Sequence, residues 1–168
     1  MDSRDVAPSL TQSNPDANAV LDLLRRAVSG VLRNAQNGDL PLFAWTLGMP
    51  QSELLALLAR LFPEVEPVEA MPNAQYHKLL RMCPPDFAAM LALLLANRNP
   101  AQPERLTRWL AHAITAACYG ERELWEDLEL GGRDDLGRLL QQYFPPLHAR
   151  LRSGHNWKQV LLAEFHAA

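Results

Sequence analysis

The sequence predicts an all-α protein, and three observations carry that prediction. Apolar residues recur at helical spacing in nearly every segment, as in Leu24, Ala27, Val28, Val31 and Ala35. No run of alternating β-branched residues marks a strand. Glycine and proline fall between the periodic stretches, where helices stop and start. The expectation is a single compact multi-helix domain of about seven or eight helices. Residues 1–15 are expected to form a loosely attached arm, and 16–168 the helical domain.

In the first helix the stripe just named leaves Asp22, Arg25, Arg26 and Arg33 off the apolar face. The short segment LPLFAWTLG follows, and Gly48 is placed to end it in the left-handed conformation. Pro50 suits the first turn of the next helix, PQSELLALLARLF. PEVEPVEAMPN carries three prolines in eleven residues and therefore reads as a loop. AQYHKLLRM is a short helix. PPDFAAMLALLLANR is apolar nearly all round, which places it at the centre.

In the next helix Leu106, Trp109, Leu110, Ala113, Ile114, Ala117 and Cys118 share one face. Arg105, Arg108, His112 and Thr115 lie opposite, so His112 is expected in solvent, and Gly120 is the natural end. In the connection that follows, Leu124, Trp125, Leu128 and Leu130 are candidate apolar anchors. Asp134 and Asp135 stand where a helix N-terminus favours a cap and negative charge. At the end of the chain Trp157, Val160, Leu161 and Phe165 line one face of a short helix.

Two segments align without gaps: ELLALLARLFP (53–63) and DLGRLLQQYFP (135–145). A tryptophan, Trp45 or Trp125, precedes each. Either the chain contains a duplicated helix pair, or leucine-rich helices ending in Phe-Pro simply look alike.

Composition narrows the function classes. A net charge of −3 provides no concentrated basic field for nucleic acid or for anionic lipid. The longest apolar run, Phe87–Ala96, is ten residues, half of the roughly 20 that a membrane span needs. The polar N-terminus is no signal peptide, and two cysteines form no disulfide framework, so a cytoplasmic protein with reduced thiols is expected.

Each candidate motif has a plain structural explanation beside it. FAWTLGMPQSELLALLARLF has the outline of a DNA-binding helix-turn-helix, but its second helix offers only Arg60 to phosphate and is rich in leucine. The seven acidic residues between Glu121 and Asp135 do not follow a calcium-loop spacing. The five histidines form no metal-binding pair on a helix. Cys118 lacks a nearby base; with Glu123 and Asp127 it makes the one cluster worth testing for catalysis. No catalytic or cofactor-binding residue is assigned, no metal ligand is named, and the protein is not expected to be an enzyme.

The stretch from Ala117 onward nevertheless has a distinctive order. Ala117, Cys118 and Gly120 are followed by Leu124, Trp125, Asp127 and Leu128, then Arg133, then Phe144, Pro145 and Leu147, and finally Trp157 and Lys158. This order resembles the nitrogen-fixation NifQ family, as do FAWTLGMPQSEL and PPDFAAMLALLLANR upstream. The resemblance covers roughly residues 20–165. It implies a role in supplying molybdenum for the nitrogenase iron–molybdenum cofactor, a molybdenum–iron–sulfur cluster, and cofactor assembly proteins as partners.

The resemblance also implies that the cluster ligands lie in a cysteine-rich motif after the Trp-Lys helix. Soft thiolates suit such a cluster. Here the sequence reaches Ala168 where that motif is expected to begin, with His166 near the place of its first cysteine. Glu123 stands where the family has histidine. No cofactor is therefore expected on this chain as it stands, and cluster binding is expected to be impaired or lost. A helical interaction module is the alternative. The matching positions Cys118, Gly120, Leu124, Trp125, Asp127, Leu128, Arg133, Phe144, Pro145, Trp157 and Lys158 are expected to be structural, with Trp125 and Trp157 buried and Asp127 fixing its loop.

Overall fold

The computed structural model describes residues 15–66, 69–151 and 157–167. The expected N-terminal arm, but for Pro15, lies outside them, as does the side chain of Trp157. Nine α-helices and one 3-10 helix, and no strand, are found among the described residues. They are α1 (Pro15–Gln36), the 3-10 helix (Leu42–Thr46), α2 (Gln51–Leu61), α3 (Asn73–Leu80), α4 (Phe87–Ala96), α5 (Glu104–Ala117), α6 (Leu124–Asp127), α7 (Arg133–Tyr143), α8 (Pro145–Leu151) and α9 (Trp157–Ala167). The count exceeds the expected seven or eight because the connections after α5 and α7 are themselves helical. No helix among these residues is long and apolar enough to cross a membrane.

The centre of the fold is α5, not α4. Eleven of the fourteen residues of α5 are buried, including Trp109, Leu110 and Ile114. In α4 only Phe87, Met90 and Leu94 are buried, and Ala88, Ala89, Ala92 and Ala96 face solvent. Uniform apolarity was a poor guide because alanine tolerates exposure at little cost, whereas the amphipathic α5 has neighbours on several sides. The stripe of α1 behaves as the spacing predicts: Leu24, Ala27, Val28, Val31 and Ala35 are all buried.

Three helices begin directly after a proline, Pro50, Pro72 and Pro103. Each of these prolines is extended, with φ between −53 and −58°, and its carbonyl accepts the first helical hydrogen bond. The rigid ring thus does the work of an N-cap without a capping side chain.

The turn after the 3-10 helix is left-handed at two successive residues, Leu47 (φ 51°) and Gly48 (φ 68°). A Cβ on Gly48 would sit 2.4 Å from the Phe87 ring, so glycine is required there by packing as well as by φ. Buried polar groups hold this turn. Tyr76 donates its hydroxyl to the Met49 carbonyl at 2.7 Å, and Thr46 Oγ1 accepts the Gly48 N–H at 3.0 Å. His112 Nδ1 lies 2.7 Å from the Leu47 carbonyl. A carbonyl can only accept, so Nδ1 carries the proton.

His112 is thus buried, at 8% exposure, rather than solvated as its helical position suggested. The opposite face of α5 is covered by the Leu47 turn. Thr115, on the same face, is also buried and returns its hydroxyl to Ala111. Burial holds the His112 imidazole below its ordinary pKa. As pH falls below about 6.5 the unfolded chain takes up a proton that the folded chain refuses, so stability is lost in that window. The slope is at most about 1.4 kcal/mol per pH unit. Urea unfolding between about pH 7.5 and pH 5 is expected to show this decline, and His112→Gln to flatten it.

The two aligned segments become α2 and α7. Both helices have eleven residues, and both end on a phenylalanine with nearly the same geometry, Phe62 at φ −130°, ψ 60° and Phe144 at φ −137°, ψ 58°. Their attachments differ: α2 is tied to α5 through Glu53, and α7 packs on α1 and α8. Local similarity extends to the helix ends without imposing the same partners.

Candidate functional site

The family-like residues meet at the turn joining α5 to α6, and α9 closes over it. Cys118 caps the C-terminus of α5, and Gly120 follows in the turn. Glu123, Leu124 and Glu126 open the single turn of α6, where the Glu126 carboxylate accepts the Glu123 N–H at 3.3 Å. Leu124 and Leu128 are buried in the core, and Asp127 between them is fully buried.

Asp127 is the hub of this turn. Its Oδ1 accepts from Arg122 Nε at 3.0 Å, and its Oδ2 accepts from the Lys158 ammonium of α9. Asn34 Nδ2 of α1 donates to the Asp127 backbone carbonyl at 2.8 Å. Lys158 is itself buried, at 7% exposure, and also donates to the Gly120 carbonyl at 2.9 Å. A Cβ on Gly120 would lie 2.3 Å from Asp127 Oδ2, so glycine there is what lets the carboxylate come close. Desolvating each ion costs on the order of several kcal/mol, which the pairing and the added hydrogen bonds offset.

The outer side of the turn is ionic as well. Arg133, the first residue of α7, reaches Glu123 Oε1 through Nε at 2.8 Å and Nη2 at 2.5 Å. Asp134 and Asp135 lie in the first turn of α7, and Asp135 Oδ2 accepts the Gly131 N–H at 3.1 Å. The N-cap position is Gly132, so these aspartates contribute charge and loop bonding, not a side-chain cap. Phe144 and Leu147 are fully buried, and Pro145 begins α8.

Two expectations need correction. Trp125 is only half-buried, packed beside the core, and its enclosed indole N–H has no hydrogen-bond partner among the described residues. It faces outward because the α6 turn already sends Leu124 and Leu128 inward. Cys118 is half-buried at the helix end, not deep in the apolar face. Burial nonetheless pushes its thiol up to about 12, with the Lys158 ammonium pulling down and Asp127 pushing up.

Cys118, Glu123 and Asp127 therefore do not form a poised catalytic set. Asp127 is committed to Lys158 and Arg122, Glu123 to Arg133, and the thiol holds its proton at neutral pH. Cys83, on the turn before α4, is likewise held above its ordinary pKa by burial. Among the described residues no three His, Cys, Asp or Glu side chains converge as metal ligands. This donor set does not fit a molybdenum–iron–sulfur cluster, which calls for several accessible thiolates. A groove of about 660 Å³ between α1 and α2 is lined mainly by Leu32, Leu55, Leu58, Phe62 and Val65 and contains none of the motif residues. In α2, the helix a DNA reader would present, Leu54, Leu57 and Leu61 are buried. Its Glu53 accepts from Arg105 and from Trp109 Nε1 at 2.9 Å, contacts that hold its carboxyl below the usual range.

Asp127 and Lys158 were each visible in the sequence as motif positions, but not as a pair. Arg122, Asn34 and Glu126 were missed altogether, since nothing in local spacing shows that residues 31 or 93 positions apart meet.

Fold and junction together define an all-helical protein whose motif residues are gathered into one buried, ion-paired turn. The family described as NifQ matches residues 24–165 of the chain, a span that includes every member of this junction. Protein NifQ of Azotobacter vinelandii is 31% identical over 137 residues, covering 77% of this chain and 69% of the relative. The chain belongs to the NifQ family. No solved structure matches it.

Proposed function

We propose that this chain acts in the cytoplasm in molybdenum supply for assembly of the nitrogenase iron–molybdenum cofactor, and that the polypeptide as it stands binds a cluster poorly or not at all. Membership of the NifQ family supports the nitrogen-fixation context. The observation that carries the second half is the state of the two thiols: both are held above their ordinary pKa by burial, and neither lies in a group of three potential ligands among the described residues. Deprotonating such thiols to bind metal would cost most of the binding energy. On this reading the helical domain is not an enzyme. It contributes through contacts with cofactor assembly proteins.

A second reading, a docking module without metal, is favoured by α4, which leaves Ala88, Ala89, Ala92 and Ala96 in solvent on an apolar helix. Anaerobic reconstitution with iron, sulfide and molybdate, followed by desalting and metal analysis, tests the first reading. No metal retained by folded protein is the expected result. Stoichiometric retention would restore a cluster carrier and set aside the loss of binding.

A further inference from the structure

We propose that the Asp127–Lys158 pair is a latch: it docks α9 on the turn between α5 and α6, and breaking it releases that helix alone while the rest of the fold stays closed. Among the eight residues of α9 whose side chains are described, only Lys158 and Leu161 are buried. Gln159, Leu162, Ala163 and His166 face solvent, and Leu162 is 37% exposed. The other ion pair of this helix, Arg150 with Glu164 at 2.7 Å, is on the surface, where such pairs contribute little. The central helix α5 buries eleven residues and has no comparable point of release.

The surroundings of Asp127 make separate release favourable. When Lys158 leaves, Arg122 stays on Oδ1 at 3.0 Å, and Arg122 is itself 42% exposed, so the carboxylate keeps a counter-charge that reaches water. The ammonium has no such partner inside. Deprived of Asp127, it would remain beside the Gly120 carbonyl as a buried, uncompensated charge. The least costly response is to carry the ammonium back into water by moving the helix that bears it, a local opening of the kind seen at the low-stability end of many folds. Gly120 keeps the latch tight when closed, because any Cβ there would push the carboxylate away. The latch is a property of the fold and stands whether or not the chain takes part in molybdenum supply.

Amide hydrogen exchange by mass spectrometry on the full chain tests it, comparing the wild type with Lys158→Met and Asp127→Asn. Exchange across 157–167 is expected to accelerate at least about tenfold in both variants, with the α5 amides of 104–117 unchanged. Unchanged protection of α9 overturns the latch. So does acceleration of α5 in parallel with α9, since the helix would then open only with the whole domain. Lys158→Met keeps the side-chain stem and leaves Arg122 on Asp127, so it decides the question by itself if Asp127→Asn does not fold.

Discussion

Trp109→Ala is expected to cost about 3–5 kcal/mol of folding stability, the range for truncating a buried indole. Trp109 is fully buried on α5, the helix around which the others pack. Its Nε1 also donates to Glu53, which Arg105 grips through two bonds of 3.0 and 3.1 Å while its guanidinium lies over the indole. Truncation therefore opens a cavity and loosens the tie between α2 and α5 in one step. Urea unfolding would show the loss as a lower midpoint with a similar slope. Trp125→Ala, from a half-buried site, is expected to lose distinctly less, although its position in the family motif suggested the stronger anchor. A loss below about 1 kcal/mol for Trp109 would mean that the centre of the core lies elsewhere.

The difference between the two tryptophans shows what the sequence could and could not reveal. Helical periodicity identified the buried stripe of α1 and the apolar face of α5, because a residue's own face depends on spacing alone. It did not identify what covers the other face. His112 and Thr115 looked solvated until the left-handed turn at Leu47 and Gly48 was seen to lie against them. The same limit hid the junction. Asp127 and Lys158 could be singled out by resemblance, yet their pairing depends on α9 returning to a turn thirty-one residues earlier. The prediction that Asp127 fixes its loop was correct in kind, and its bonds run further than the loop, to α9 and to α1.

Contact with α1 is where the second large effect is expected. Gly30 lies inside that helix, where glycine ordinarily costs about 0.5–1 kcal/mol relative to alanine. Nothing in the local pattern explains its presence. A Cβ there would stand 2.4 Å from the Leu128 carbonyl oxygen and 2.7 Å from its carbon. These are backbone atoms of the motif turn, which cannot rotate aside. Directly beyond, Glu129 is left-handed at φ 54° and is held by Arg33 at 2.6 Å, while Asn34 grips the Asp127 carbonyl. Gly30→Val is expected to force α1 and this turn apart and lose about 3 kcal/mol, the upper end for overpacking a core. Gly137→Ala supplies the opposite case. That glycine is also helical, but a Cβ on it meets nothing nearer than His148 Nε2 at 4.0 Å, so propensity decides and a gain of about 0.5–1 kcal/mol is expected. Opposite signs for the two substitutions in urea unfolding would establish that α1 sets the height of the motif turn. A gain at both would mean that α1 and the turn are not in contact, and the hold of Asn34 on Asp127 would fall with it.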